Sequence, residues 1–405
     1  MTKYLVKISS TLIYGIPFLI LSGPFFSDLA LVIVCTSFLI ISYREKLLHL
    51  YKNKYFKIFL FFYAYLVARS LFTQDLVSIK SSFFFIRFGL FALAFNYFLL
   101  KNYIDLKKFF FVILFSLFAI FIDSLIQYYT GFNILGFEIL HPNRISSFFY
   151  DELILGSFSF RVLILIIPLY FLYYKKKIYP FILLVIITTL IVLSGERSAL
   201  ALIIIFSVFY LFITTNKIKY FLINILILLS LFTIILSTNE TIYKRIITVT
   251  KNNFYINKEE KIIAFSQVHY QHYSTGYKMF KENILFGVGP KMFRFKCGDN
   301  NYNSGQFSCS THPHNILIQF LAEFGLLGFM FLCYFYYLLI KNLLNFNLYR
   351  NKDKERSFLI LNLIVILNFF PFLPYGNFLN NWLSIFNIFS ISLLGYFNNG
   401  RLKFS

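Results

Sequence analysis

The chain has 405 residues, of which 59% are hydrophobic and only 14% are charged, and its formal net charge is +21. A soluble domain is nearer half apolar and a quarter charged, so the composition excludes an ordinary soluble protein. The positive charge does not indicate nucleic-acid binding, because Lys and Arg collect in the short links between apolar runs. That distribution is typical of cytoplasmic loops in membrane proteins.

Apolar residues form long uninterrupted runs, such as residues 109–122 and 220–236. A helix that crosses the hydrocarbon core needs about 20 mainly apolar residues. In lipid the backbone can be satisfied only within helices or a closed barrel, and continuous rather than alternating apolarity excludes the barrel. The sequence therefore predicts an all-α integral membrane protein.

About twelve spans fit this pattern, and the first is expected to be retained because no small-residue cleavage site follows it. They are predicted near residues 5–22, 28–43, 56–73, 80–100, 109–129, 152–174, 178–194, 198–215, 220–237, 313–340, 357–374 and 380–397.

The short links alternate in charge along the chain. With a cytoplasmic N-terminus, every inward link is basic, whereas the outward links carry few cations. Both termini are therefore predicted to be cytoplasmic. The inward segments are residues 44–57, 101–108, 175–177, 217–219 and 341–356, and the tail with Arg401 and Lys403.

One outward link is much longer than the others and divides the chain into three regions. Residues 1–237 are predicted to form spans one to nine, residues 238–312 a large outer loop, and residues 313–405 spans ten to twelve and the tail. Within the loop, residues 258–283 contain no proline and have apolar side chains at helical spacing. This spacing predicts an amphipathic helix on the surface of the bundle.

The outer loop contains two of the four cysteines, Cys297 and Cys309. In an oxidising compartment a disulfide between them would close a loop of about 13 residues and contribute roughly 3 kcal/mol. The alternative is a pair of free thiols. A zinc site with His312 and His314 is not favoured, because the four residues lack finger-like spacing, and no metal site is predicted.

Ionisable side chains gather at the outward ends of the predicted spans. Such groups are costly at membrane depth, so each marks a site or a structural pair, and their clustering predicts a site that opens to the outer face. The alternative for Arg69 and Arg87 is that they extend to the membrane surface. The group comprises Arg69, Arg87, Arg144, Asp151, Glu152, Arg161, Glu196, Arg197, His312, His314 and Glu323.

The segment around His314 indicates a catalytic role. Pro313 suits the first turn of a helix, so His314 and Asn315 are predicted to begin span ten. A histidine with an ordinary pKa near 6.5 can accept a proton from a hydroxyl at neutral pH. Glu323 would lie on the opposite face of a straight helix, so it is predicted to be a buried structural residue, with an arginine as one candidate partner.

Four segments, in order, resemble the O-antigen ligase and polymerase superfamily. Residues 314–328 (HNILIQFLAEFGLLG) resemble its histidine signature, and residues 285–290 (LFGVGP) resemble a second hallmark in the large loop. Residues 194–200 (SGERSAL) resemble its arginine motif. Residues 144–153, with Arg144 and Glu152, are similar to a block found in a subset of members.

The resemblance implies a glycosyltransferase at the periplasmic face of a bacterial inner membrane. Such enzymes move a glycan from undecaprenyl diphosphate to a sugar hydroxyl, on lipid A–core in a ligase or on another lipid-linked repeat in a polymerase. The histidine acts as the base and arginines hold the diphosphate, without a metal or nucleotide cofactor. Position by position, His314 is the base, Arg197 and Arg144 hold the diphosphate, and Asn315, Glu323, Glu196 and Glu152 support the site. Ligase is preferred to polymerase, and the acceptor is left open.

One position departs from the family. Many members carry an arginine in the loop helix about 18 residues before the first glycine of the Gly-x-Gly hallmark, and here the residue is His269, with His272 nearby. Either histidine could donate to the diphosphate. The cations that could replace the missing arginine are Arg294, Lys278 and Arg245.

An alternative of another class is a transporter or flippase for a lipid-linked glycan. Such proteins typically contain repeated halves and charged or broken helices at the bilayer midplane. This sequence has no evident repeat, and its polar groups lie toward one face. The glycosyltransferase interpretation is therefore preferred.

Overall fold

The computed structural model of the protein describes residues 2–141, 144–174, 176, 178–214, 218–238, 240–253, 266–344 and 353–402. Across these residues the regular structure is helical, with two isolated β-bridges and no strand. Seven helical segments of at least 18 residues are apolar enough to cross a membrane, and four shorter apolar helices accompany them within the same residues. The protein is thus an all-helical, multi-pass membrane protein, as the sequence predicts, and the count of twelve spans stays a prediction.

Seventeen α-helices are seen in the part of the chain that the structure describes. In order they are α1 (Thr2–Leu19), α2 (Pro24–Arg44), α3 (Lys54–Leu71), α4 (Leu76–Phe83), α5 (Ile86–Leu100), α6 (Leu106–Thr130), α7 (Leu155–Tyr173), α8 (Ile178–Ser194), α9 (Arg197–Thr214), α10 (Ile218–Thr238), α11 (Glu240–Tyr243), α12 (Val249–Asn253), α13 (Gln267–Glu282), α14 (Phe293–Lys296), α15 (Ile316–Leu344), α16 (Asp353–Asn368) and α17 (Asn381–Leu402).

Each predicted span coincides with one helix, except that the fourth is divided between α4 and α5. The predicted amphipathic helix of the outer loop corresponds to α13, which begins at Gln267. Its expected first part, residues 258–265, lies outside the described residues. So do Lys175, Lys177, Lys217 and Lys403, residues 345–352 and the side chain of Arg401.

Helix α7 lies at the centre of the bundle. Of its most apolar window 88% is buried, compared with 33% for α1 near the N-terminus. Its side chains, including the fully buried Phe158 and Phe160, pack between α6, α8 and α16. The first turn of α7 is therefore held firmly by close packing within the bundle.

Helix α15 is interrupted at Gly325, where φ is +62° and ψ is −164°. The backbone of Gly287, at φ +65°, packs directly against this break. A Cβ atom on Gly287 would lie 2.5 Å from the carbonyl carbon of Glu323, and one on Gly325 would lie 2.5 Å from the amide nitrogen of Gly287. Only glycine permits so close an approach of two backbones with positive φ.

Backbone hydrogen bonds join the loop to the broken helix. A break in a membrane helix leaves amide and carbonyl groups that need new partners. Here residues 284–289 provide these partners. The glycine-containing hallmark of the loop thus satisfies the backbone groups that the break in α15, within the histidine signature, leaves open. The bonds run from Val288 N to Ala322 O (2.8 Å), Gly289 N to Glu323 O (2.9 Å), Leu326 N to Ile284 O (2.8 Å) and Leu327 N to Leu285 O (3.2 Å).

Arg69 on α3 holds the same loop from the other side. Its Nη2 donates to Gly287 O at 2.7 Å, and its Nε donates to Phe286 O at 3.2 Å. Arg87 on α5 forms an ion pair with Asp28 at 2.9 Å. Both arginines thus bind within the protein, and the alternative that they merely extend to the membrane surface is wrong.

Candidate functional site

Four of the six histidines in the chain meet between α13 and the start of α15. His269 and His272 come from α13, whereas His312 and His314 lie in the turn before α15. The ring centroid of His314 is 4.0 Å from that of His312, 5.3 Å from that of His272 and 5.7 Å from that of His269. Sequence analysis did not predict this convergence, although the spacing of His269 and His272 places both on one helix face.

His314 occupies the centre of this histidine cluster in a left-handed backbone conformation, with φ at +54°. Helix α15 begins only at Ile316, so the prediction that His314 and Asn315 begin this helix, with Pro313 in its first turn, is wrong. The carbonyl of His314 accepts a hydrogen bond from Tyr375 N at 2.9 Å, and its Nε2 lies 2.9 Å from Ser310 Oγ. Non-glycine residues at positive φ are uncommon and concentrate at functional sites.

His312 has a structural role, because hydrogen bonds occupy both of its ring nitrogens. Its Nε2 lies 3.1 Å from the carbonyl oxygen of Tyr375, which can only accept, so Nε2 carries the proton. Its Nδ1 therefore accepts from the Thr311 hydroxyl at 2.9 Å. The side chain is also buried, so it holds the turn in place and has no nitrogen left for a substrate.

His272 presents a buried lone pair. One ring nitrogen donates to the backbone of Cys309, whereas Nδ1 has no hydrogen-bond partner among the described residues. The proton is therefore on Nε2, and Nδ1 can only accept. Cys309 is joined to Cys297 by a disulfide with Cα atoms 5.1 Å apart, so this link positions the carbonyl that orients His272.

The histidines of the cluster are neutral at physiological pH. Burial, and then repulsion between neighbouring rings, lowers the pKa of His314 to about 2. Burial likewise lowers the pKa of His269 and of His312 to about 4 each. Arg197 contributes to the lowering at His269, and Arg294 contributes at His312. Each ring thus keeps one nitrogen lone pair for accepting a proton or a hydrogen bond.

Three arginines converge on the short link between α8 and α9. Arg144 donates through Nε to Ser194 O at 3.2 Å, and Arg245 donates through Nε to Gly195 O at 3.4 Å. Arg197, the first residue of α9, is close enough to both to influence them electrostatically. Burial lowers the pKa of Arg144; Glu196 opposes this shift, while Arg245 and Arg197 add to it. We call these three residues the arginine cluster.

Glu196 lies within this link, but its carboxylate binds the first turn of α7 rather than the arginines. Its carboxylate accepts hydrogen bonds from Gly156 N at 2.7 Å and from the Ser157 hydroxyl at 2.6 Å, and so caps the first turn of α7. Burial raises its pKa. In the described part of the chain Arg144 and Arg245 form no ion pair. Within the described residues, Arg144 and Arg245 therefore offer positive charge to which an anion could bind.

Residue Glu323 is fully buried, as the sequence predicts, and its direct hydrogen bonds come from Gln319 and Phe293, while Arg294 acts on it electrostatically. Its carboxylate accepts from Gln319 Nε2 at 2.9 Å and from Phe293 N at 3.4 Å. Arg294 interacts electrostatically with Glu323, Lys291 and His312.

The two remaining supporting residues have different positions. Asn315 donates to Pro371 O at 2.8 Å and accepts from Ile318 N, so it fixes the start of α15. Glu152 is an exposed residue beside Asp151 on the outer surface.

The link between α16 and α17 supports the histidine turn. Tyr375 binds both histidines of that turn through its backbone, and its ring lies 5.7 Å from the guanidinium of the buried Arg161. The ring of Trp382 lies 5.2 Å from the same guanidinium. Arg161 thus helps to position the histidines from beneath. Sequence analysis placed Arg161 at the outward face but did not assign it this contact.

No group of three or more His, Cys, Asp or Glu side chains in the described ranges is arranged to hold a metal ion.

Comparison with known proteins supports the resemblance seen in the sequence. Residues 182–333 match the family model described as O-Antigen ligase. No curated protein matches the chain. The matched segment contains both the arginine motif of α9 and the histidine turn before α15. With its all-helical fold the chain is a multi-pass membrane protein, and its residues 182–333 are similar to the O-antigen ligase family.

Proposed function

We propose that the protein transfers a glycan from undecaprenyl diphosphate to a sugar hydroxyl at the periplasmic face of the bacterial inner membrane. The observation that carries this proposal is the position of His314. It is a neutral histidine at positive φ, its ring centroid lies 5.7 Å from that of His269, and Arg197 of the arginine cluster acts electrostatically on His269. This arrangement supports the proposal that His314 accepts a proton near a diphosphate bound by the arginines.

The proposed reaction is a single displacement at the anomeric carbon. The acceptor hydroxyl donates its proton to His314 as its oxygen bonds to the anomeric carbon. The bond between that carbon and the diphosphate oxygen breaks, and undecaprenyl diphosphate leaves with both electrons of the bond. Arg197 and Arg144 stabilise the charge on the leaving group, and the neutral ring of His269 can donate one further hydrogen bond. Because arginines bind the leaving group, the proposed step requires no metal or nucleotide.

The low pKa of His314 makes the base dependent on its substrate. An imidazole with a pKa of about 2 is a weak proton acceptor in the free protein. A bound diphosphate brings negative charge, and negative charge nearby favours the protonated ring and raises its pKa. We infer that His314 becomes an effective base when the donor is in place, which favours transfer only in the assembled complex.

The proposed acceptor is lipid A–core, which would make the protein a ligase, and a polymerase is the alternative within the same chemistry. The test is to delete the gene and to compare surface and lipid-linked glycans on gels. The deletion strain is complemented with wild type, with His314→Ala or with His141→Ala. His141 is an exposed histidine outside the histidine cluster, so it is a matched control.

Each outcome has a distinct meaning. Full-length glycan on undecaprenyl diphosphate with bare lipid A–core identifies a ligase, whereas a core with a single repeat identifies a polymerase. His314→Ala should fail to complement although it is expressed, and His141→Ala should succeed. Full complementation by His314→Ala would remove the proposed base. Loss of all lipid-linked glycan from the periplasmic face would favour a transporter.

A further inference from the structure

We propose that Arg245 is a further substrate-binding residue, which holds the diphosphate of the lipid-linked donor together with Arg197 and Arg144. This inference rests on the proposed function. Arg245 belongs to no hallmark of the sequence. It lies just beyond α10 and α11, where the chain enters the outer loop.

The backbone around Arg245 is unusual. Residues Lys244–Thr248 form a π-helical turn between α11 and α12. Such turns are rare in proteins and occur often at functional sites, because the extra residue redirects side chains that a regular helix would spread around its axis. Here the turn carries Arg245, which is half-buried against the bundle.

Two reciprocal contacts join this segment to the arginine motif. Arg245 Nε lies 3.4 Å from the carbonyl oxygen of Gly195, and Arg197 Nη1 lies 3.4 Å from the hydroxyl of Thr250. Each segment thus contributes an arginine that reaches the other. Arg245 also influences both Arg144 and Arg197 electrostatically, so the three guanidinium groups share one small region.

The positive charges in this region favour the binding of an anion. Three like charges repel one another, and partial burial removes the water that would screen them. Among the described residues, Glu196 is the carboxylate that acts on Arg144, but its oxygens already accept hydrogen bonds from the first turn of α7. A diphosphate has the charge and the several acceptor oxygens that multiple guanidinium groups can bind.

Arg245 also fits the place of the missing loop arginine better than the other two candidates. Lys278 points away, since its Nζ donates to Asn303 O at 2.6 Å on the exposed side of the loop. Arg294 acts electrostatically on His312 and Glu323, whereas Arg245 acts on Arg144 and Arg197. His269, which occupies the family position, is neutral and supplies no charge. Arg245 is the candidate that adds a full charge beside Arg197.

The neighbouring residue offers a matched control. Lys244 lies on the same π-helical turn, but it is largely exposed and forms an ion pair with Glu240 at 2.6 Å. Replacing Lys244 by Gln removes one positive charge from the same segment and leaves the arginine cluster intact. Any effect of net charge or of the local helix should therefore appear in both variants.

The experiment measures binding of undecaprenyl diphosphate and undecaprenyl monophosphate to the purified full-length protein in lipid nanodiscs. Arg245→Gln should raise the Kd for the diphosphate by about tenfold and affect the monophosphate less, because one charge-assisted contact is lost. Lys244→Gln should change either Kd by no more than about twofold, since exposed charges contribute little. Arg197→Gln is the reference for the proposed site.

The outcomes separate this inference from the proposed function. If Arg197→Gln weakens binding but Arg245→Gln behaves like Lys244→Gln, the role of Arg245 is overturned and the proposed function stands. If neither arginine affects binding, the proposed diphosphate site itself is wrong. Should Arg245→Gln not fold, Arg245→Lys decides instead. A Kd raised about threefold or more by loss of the planar two-point contact supports the role, and an unchanged Kd overturns it.

Discussion

At the scale of single residues, the site combines neutral imidazoles with charged guanidinium groups. The charge states of the histidines and of the arginines have different causes. Burial among other rings keeps the histidines uncharged, whereas the arginines stay charged because their ordinary pKa lies far above physiological pH. His312 and His314 are two residues apart but differ in role, because hydrogen bonds use both nitrogens of His312. Proximity in sequence therefore does not indicate which histidine reacts.

The lowered pKa of His314 predicts an unusual pH dependence. Since the free protein does not protonate this ring until the solution is strongly acidic, kcat/KM should stay within about twofold between pH 7 and pH 5.5. A base with the ordinary pKa near 6.5 would lose about tenfold over the same range. The check is a rate profile with purified protein and native lipid-linked donor.

The same profile contains an internal control. The bound diphosphate should raise the pKa of the base, so kcat should begin to fall at a higher pH than kcat/KM does. A tenfold loss of kcat/KM by pH 5.5 would contradict the neutral histidine cluster in the free protein.

At the scale of elements, the docking of residues 284–289 against the kink in α15 determines where the histidine turn sits. Sequence analysis identified both segments as hallmarks. It did not predict that they bind each other, because a straight helix was assumed and Gly325 gives no local signal of a break. The positive φ of His314 was not predicted either, because only a few per cent of non-glycine residues have positive φ and Pro313 suggested the start of a helix. The helices were predictable because a helix that crosses the membrane requires a long apolar run, which is visible in the sequence. The site was not, because it depends on contacts between segments distant in sequence.

The close approach of Gly287 to α15 predicts the effect of one added methyl group. Gly287→Ala should reduce transfer by about 100-fold or more, because the new Cβ would overlap the backbone of Glu323 and move the loop. Gly298→Ala is the matched control, as its nearest contact would be Cys309 Sγ at an ordinary 3.8 Å. The measurement compares the transfer rates of the two purified variants, using equal amounts of folded protein. Equal rates would refute the packing argument.

The disulfide makes a second prediction for the outer loop. Removing it with Cys297→Ser and Cys309→Ser together should lower the stability of the loop by roughly 3 kcal/mol and reduce transfer, because Cys309 orients His272. Cys333→Ser removes a free thiol elsewhere and should leave activity unchanged. Mass spectrometry without reductant should find the linked peptides in wild type. Two free thiols there would contradict the link.

At the scale of the whole molecule, the proposed orientation places the outer loop in the periplasm and both termini in the cytoplasm. This predicts that a membrane-impermeant maleimide labels Asn301→Cys in spheroplasts but labels Lys52→Cys only after the membrane is opened. Both positions are exposed in the protein, so access depends on the side of the membrane. The background for both variants is Cys35→Ser with Cys333→Ser. Labelling of Lys52→Cys in sealed spheroplasts would reverse the proposed topology.

The hydrogen bonds from the α16–α17 link to the histidine turn have a consequence for the order of biosynthesis. The histidine turn receives its partners Tyr375 and Pro371 from a segment made some 60 residues later. While the ribosome is still making α16, the loop can already lie outside the membrane, but the backbone of His314 lacks its donor. The nascent chain therefore cannot assemble a finished site until the last pair of helices has been inserted, so premature encounter with the lipid-linked donor should be unproductive.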